Sequence, residues 1–306
     1  MPKTILKHAI VAIAIIMAVI TTIVYLQSTG AKSKKQVSSK VQPAVEVNVD
    51  PALAGKDEKD EKTTKVETKA DSHSAPAIPS FQSTGNPIPN FSAIADVKQK
   101  KRAYFDYLRP AAIEQNEYLL TLRTYIRHMH DKVIDGGALS QKETDKLNWL
   151  VVEYRVSDSL EPIEQLNALL TKVDIIPLDL VLVQSANESG WGTSRFAKEG
   201  YNFFGIWCFV ENCGFVPQRR NSGAGHEVAK FDNLPKAMYS YMRNLNRHPA
   251  YRQLRSIRQE LRKSDQQISG YALAEGLSSY SERGAEYIEE LRAMMRMNKA
   301  LMSTKI

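Results

Sequence analysis

The sequence predicts an α+β protein, mostly α-helical, with a small β-hairpin region, behind an N-terminal transmembrane helix and a disordered linker. Three observations predict it. Apolar residues recur near every 3.6 positions through much of the chain after residue 97, the repeat of an amphipathic helix. Between 204 and 231 that repeat gives way to short apolar segments separated by turn residues, which reads as strands. The first 96 residues show neither pattern: an uncharged run is followed by a long polar stretch.

The uncharged run is 9–26, preceded by Lys3 and Lys7. A run of that length is just enough to span a bilayer as a helix. A cleavable signal peptide is the alternative. Its apolar core is usually shorter, about 7–15 residues, yet Ser28-Thr29-Gly30-Ala31 are small enough for a cleavage site. A short positive N-terminus favours N-in, C-out, although Lys32, Lys34 and Lys35 follow the run. The expectation is a single-pass anchor (or signal segment) over 1–27 in the inner membrane, with the folded part in the periplasm. Residues 28–96 are rich in Lys, Glu, Asp, Ser, Thr and Pro and contain no Trp or Tyr. Such a segment cannot bury enough surface to offset chain entropy, so it reads as a tether.

The folded domain is expected over 97–306, with a helical extension over 97–158. Lys98–Lys132 carries Tyr104, Phe105, Leu108, Ile113, Tyr118, Leu119, Leu122 and Ile126 at helical spacing, and Pro110 is expected to break or kink it. Helices follow at about 140–156 and 160–172. Phe204–Phe209, Gly214–Pro217 and Glu227–Phe231 read as strands, and 221–225 as a flexible loop. Helices return at 234–247, 249–263, 268–276 and 283–301.

One stretch carries chemistry. Pro177 opens a short apolar helix, because its missing N–H would be unsatisfied at that position anyway. Gly190 and Gly192 end it. Glu188 is a lone carboxylate in the last turn, where the partial negative charge of the helix end disfavours ionisation. Trp191, Phe203, Phe204 and Trp207 follow closely and would wall the site with apolar surface. Both effects push a carboxyl pKa upward. A carboxylic acid kept protonated near neutrality is what general-acid catalysis at a glycosidic oxygen requires. The alternative is an exposed helix-end glutamate without a role.

Glu188-Ser-Gly-Trp-Gly192, then Ser194, Ala197 and Tyr201-Asn-Phe-Phe-Gly-Ile206, resembles the signature of the peptidoglycan β-N-acetylglucosaminidase family of autolysins and flagellar wall hydrolases. The resemblance covers roughly 160–298. It implies a lysozyme-like fold, Glu188 as general acid, a β-1,4 cut after N-acetylglucosamine, and no metal or organic cofactor. A second carboxylate from the β region is implied too. Glu227 lies in the right area, Glu211 is a further candidate, and the family's position counted back from Phe231 falls nearer Gln218. Gly276–Tyr287 stands where the family has Gly-Tyr-Ala-Thr-Asp-Pro-x-Tyr, without the Asp-Pro; Tyr287 matches the last tyrosine. Arg247, Pro249 and Tyr251 loosely resemble an Asn-Pro-Arg-Tyr pattern. Trp191, Phe204, Trp207 and Tyr280 are expected to stack on sugar rings, and Tyr287 to bind substrate beside them. The partner implied is the peptidoglycan glycan strand. A catalytically silent wall-binding or scaffold module is the reading from another class.

Hydrophobic residues at 43% allow a real core, and a net charge of +7 with pI about 9.2 favours an anionic partner: nucleic acid, anionic lipid or the acidic cell wall. The basic run Arg243, Arg247, His248, Arg252, Arg255, Arg258, Arg262 and Lys263 scatters around its helices instead of forming one face. It therefore reads as solvated surface and not as a nucleic-acid site. Cys208 and Cys213 are the only cysteines, and outside the cytoplasm they read as a disulfide across a hairpin turn. A zinc site adding His226 and His248 matches no common spacing. His128 and His130 fall on different helix faces and read as surface residues. Oligomeric state is not legible.

Overall fold

The computed structural model describes residues 76–77, 81, 87–217 and 226–303. The run 9–26, Gln218 and the 221–225 loop lie outside them. Among the described residues no helix is long and apolar enough to cross a membrane.

One long helix, α1 (Val97–Ile134), organises the body. Asp96 caps it, its carboxylate accepting from the Gln99 N–H at 2.7 Å. Its buried stripe runs from Tyr104 and Phe105 through Leu119 and Leu122 to Ile126 and Met129. Pro110 lies inside this helix, and the helix continues through it. The cost of an internal proline, about 3 kcal/mol, is offset by apolar burial on both sides of it: Tyr104, Phe105, Leu108 and Ala112 are fully buried. Pro110 itself is exposed, so water can reach the carbonyl it leaves unpaired.

Two capped helices follow, α2 (Gln141–Glu153) and α3 (Pro162–Lys172). Ser140 and Glu143 form a reciprocal capping box on α2, as Glu161 and Glu164 do on α3. Next comes α4 (Leu178–Ser189), with Pro177 as its cap. Leu180, Val181, Leu182, Val183, Gln184, Ser185 and Ala186 are all fully buried. A helix apolar all round belongs in the middle of a core, and α4 packs against α1 and against the last helix, α9 (Ala285–Met302).

Short α5 (Arg195–Gly200) leads to three small strands, β1 (Trp207–Cys208), β2 (Gly214–Phe215) and β3 (Glu227–Ala229). They pair antiparallel in the order β1-β3-β2. The expected hairpin across Cys208–Cys213 is therefore absent. β3 enters between the two strands, and 209–213 crosses over instead of turning back. The reason is local. The Glu227 carboxylate accepts from the N–H groups of Asn212 (3.1 Å) and Gly214 (2.8 Å), drawing the crossing segment around it. Cys208 and Cys213 form a disulfide across the same segment, with Cα atoms 6.2 Å apart.

The remaining helices are α6 (Leu234–Arg247), α7 (Arg252–Lys263), α8 (Gly270–Leu273) and α9. Here the solvated reading of the basic run is corrected in part: Arg243, Arg247, Arg255 and Arg258 are buried, while Arg252, Arg262 and Lys263 are exposed. The buried ones cap helix ends and hold acids. Arg255 donates to the carbonyls of Leu245 and His248, both at 2.9 Å, at the end of α6. Arg258 donates to Lys172 O (2.9 Å) and Thr171 O (3.3 Å) at the end of α3. The last carbonyls of a helix lack intrahelical partners and carry partial negative charge, so a buried guanidinium suits them. Arg243 pairs with Glu153 at 3.0 Å.

The folded body also begins before residue 97. Phe91 is 1% exposed and packs edge-on to Tyr104, with centroids 5.2 Å apart. Phe81 is buried against Tyr239. Isolated aromatics in a polar stretch carry no periodicity, so they read as linker until their pockets are seen.

Candidate active site

The end of α4 positions the candidate acid. Gly190 takes the left-handed conformation (φ 58°) that closes the helix. Gly192 follows at φ 73°, and an added Cβ there would meet Phe91 at 2.5 Å. Glycine at 192 thus lets the chain turn back under the Phe91 and Tyr104 rings. Ser189 secures the turn, its hydroxyl accepting from the Gly192 N–H at 2.8 Å and contacting Tyr104 Oη at 3.0 Å.

Glu188 is half-buried beside α9. Its Oε1 accepts from the Tyr287 hydroxyl at 2.8 Å. That hydroxyl accepts in turn from Gln184 Nε2 at 2.9 Å, and Gln184 Oε1 accepts from the Tyr241 hydroxyl at 2.5 Å. Gln184 and Tyr241 are at most 1% exposed. The chain Tyr241–Gln184–Tyr287–Glu188 therefore leaves its buried polar side-chain groups partnered, as a low-dielectric network requires.

Burial pushes the Glu188 carboxyl up to about 7, against the pull of the Tyr287 hydrogen bond and the Arg283 guanidinium. Arg283 is ion-paired with Glu290, which pushes the other way. Burial also holds the Tyr287 hydroxyl well above its usual range, with the Glu188 charge adding to it, so Tyr287 stays a donor at neutral pH. With Oε1 accepting from Tyr287, Oε2 is the oxygen left to carry the acid proton. This arrangement is a carboxylic acid, half-protonated near neutrality, with one oxygen fixed and the other free to donate.

The other expected residues divide. Tyr287 reaches Glu188 through its hydroxyl, but its ring is 1% exposed and lies parallel to Tyr280 at 5.8 Å. Tyr280 is also 1% exposed and donates to Phe204 O at 2.8 Å. Phe204 is fully buried and stacks on Tyr241 with centroids 4.0 Å apart. A buried ring has no face to offer a sugar, so Phe204, Tyr280 and Tyr287 pack the floor behind the acid instead of lining a cleft. Trp191 is half-buried, wedged at φ 59° against Tyr104 and Phe105, with the Lys101 ammonium 4.9 Å over its ring. It joins the helix end to α1. Trp207 is half-buried and stacks on His226 at 3.9 Å.

Glu227 is corrected as well. It is 5% exposed, and its two oxygens are each engaged by a backbone N–H of the crossing segment. That is a structural anchor for the sheet, not a carboxylate presented to water. Glu211 is exposed on the crossing segment. Residue 218 lies outside the described residues.

Sequence reasoning missed Gln184, Tyr241 and Arg283. Gln184 had a signal: it lies one helical turn before Glu188, on the same face. Tyr241 had none, because only packing of α6 brings it to α4. Tyr251 also neighbours the acid, its hydroxyl pushed up by burial and then by the Glu188 charge.

Residues 163–300 match the family model Glucosaminidase, described as mannosyl-glycoprotein endo-beta-N-acetylglucosaminidase. The chain is similar to Protein bax of Escherichia coli (strain K12), with 31% identity over 218 residues, covering 71% of this chain and 76% of that protein. No solved structure matches. The chain belongs to the Bax-like branch of the glucosaminidase family.

Proposed function

We propose that this protein is a peptidoglycan hydrolase that cleaves the β-1,4 bond after N-acetylglucosamine, with Glu188 as general acid. The observation that carries this reading is the Glu188 carboxyl, raised to about 7 by burial at the end of α4 and oriented through Oε1 by Tyr287. In the reaction the Oε2 proton passes to the glycosidic oxygen as the C1–O bond breaks, so the leaving group departs as a neutral alcohol. Because Glu227 is engaged by backbone donors, we assign the second role to the substrate's own N-acetyl group. Its carbonyl oxygen bonds to C1 as the leaving group departs. The Glu188 carboxylate then takes a proton from water, which opens that cyclic intermediate. Tyr287, Gln184 and Tyr241 hold the acid in place and are positioning residues. The protein acts from the inner membrane, anchored through 9–26, with the domain in the periplasm. The uncharged run and the polar tether after it support that placement.

The test is digestion of purified peptidoglycan by the full chain in a nonionic detergent, with product ends identified by mass spectrometry. New N-acetylglucosamine reducing ends, lost in Glu188→Gln, support the reading. Wall binding without cleavage by the wild type would favour the silent wall-binding module instead.

A further inference from the structure

At the opposite end of α4 from Glu188 lies a cavity of about 340 Å³ between α1, α3 and α7. A 12-residue helix separates the two ends, roughly 18 Å at 1.5 Å per residue. Arg123 and Arg127 from α1 face it, together with Arg258, Arg262 and Lys263 from α7. The carboxylate lining it is Asp174, buried and already held by Arg262 through both oxygens, at 2.8 and 2.6 Å. Arg258 is spent on carbonyls and on Asn246. Arg123 donates to Leu170 O and Val173 O and lies 3.6 Å from Asp174 Oδ2, while its Nε is buried without an acceptor among the described residues. Lys263 pairs with Glu260 at 2.9 Å on the exposed rim, where solvent weakens the pair. Arg127 is exposed and has no acceptor among the described residues. The cavity thus concentrates positive charge beyond what Asp174 balances.

We propose that this cavity is an oxyanion-binding site, taking a carboxylate or a phosphate group between Arg127, Arg123 and Lys263. The volume suits a small group or the end of a larger ligand. Guanidinium forks match the planar and tetrahedral geometry of these anions. The cations also work against one another: burial first, and the neighbouring guanidiniums against the pull of Asp174, hold the Arg123 and Arg258 guanidiniums below their usual range. An anion in the cavity relieves that repulsion. The inference does not depend on the hydrolase reading, since it concerns a separate site and a separate measurement.

The test is calorimetric titration of the full-length chain, in a nonionic detergent, with inorganic phosphate and, in a parallel arm, with acetate. Ionic strength is held constant with chloride so that screening does not change. Saturable binding of at least one anion is expected, and the preferred arm tells a phosphate site from a carboxylate site. Arg127→Glu, at an exposed position, should weaken binding at least ~10-fold, the loss of one charge-assisted hydrogen bond. Lys263→Glu, also exposed, should weaken it in the same direction. Binding unchanged in both variants, or no saturable binding of either anion by wild type, overturns the proposal. Peptidoglycan cleavage by Arg127→Glu should stay at the wild-type level, so that a failed hydrolase reading and a failed anion site are told apart.

Discussion

Replacing Glu188 by Gln should make the protein more stable, by an amount that grows above pH 4.5 and is full above pH 7. Gln copies the shape of the protonated acid: its Oε1 can still accept from Tyr287, and its amide occupies the place of the Oε2 hydroxyl. What it lacks is a charge to form. The native carboxyl titrates at about 7 against an unfolded value of 4.5. Below pH 4.5 both states hold the proton and the wild type loses nothing. Between 4.5 and 7 the unfolded chain releases its proton while the native one retains it. Wild-type stability therefore falls as pH rises, and the loss is complete above 7. At about 1.4 kcal/mol per pKa unit, the full difference is about 3 kcal/mol. Glu188→Gln should match the wild type in urea unfolding at pH 4 and exceed it by about 3 kcal/mol at pH 8.5. Peptidoglycan cleavage by the same variant should fall about 10²–10⁴-fold, the usual worth of general-acid catalysis. A stability difference that is independent of pH would refute the buried-acid argument, even if activity were lost. Gained stability with lost activity is the trade expected where a site is held in an unfavourable state for function.

Three further outcomes follow from the same geometry. Tyr287→Phe removes the hydrogen bond that pulls the Glu188 carboxyl down, so the alkaline limb of the pH–rate profile should move upward by ~1 unit; an unchanged limb would show that Tyr287 does not act on the acid. Glu227→Gln should lower stability by about 1–3 kcal/mol, because one of the two backbone N–H groups it serves loses its acceptor; lost activity with unchanged stability would restore Glu227 to a chemical role. Gly192→Ala should destabilise markedly at all pH values, since the new Cβ would sit 2.5 Å from Phe91 at a positive φ, and a wild-type melting temperature would show that Phe91 can move away.

The helices were largely legible. Ser140 with Glu143, Glu161 with Glu164, and Asn233 before Leu234 are start signals that act within one turn, and the structure uses each of them. Pro110 does not break α1: its cost is local, whereas the burial of Tyr104, Phe105 and Leu108 that outweighs it comes from α1's packing against other helices. The strands were overestimated in length. Their apolar residues serve other purposes: Phe204 and Ile206 are core residues and not sheet positions. Ring type and proximity in sequence point to cleft walls for the aromatics after Glu188, but neither says which way a ring faces.

From the sequence alone came the helical body, the chain reversal at Gly190 and Gly192, and the choice of Glu188 as the candidate acid. These depend on interactions between residues a few positions apart, which spacing records. The tertiary structure alone decided what surrounds that acid. Tyr241, Gln184, Tyr287 and Glu188 are joined by hydrogen bonds across separations of 57, 103 and 99 residues. It also turned four arginines of the basic run inward, placing Arg255 and Arg258 on helix-end carbonyls, and left Arg127 exposed beside the Asp174 cavity. A tyrosine or arginine suits both water and a buried partner, so its residue type and spacing are the same in either case. Only the approach of a second helix supplies the acceptor and removes the water that make one of the two the lower in free energy.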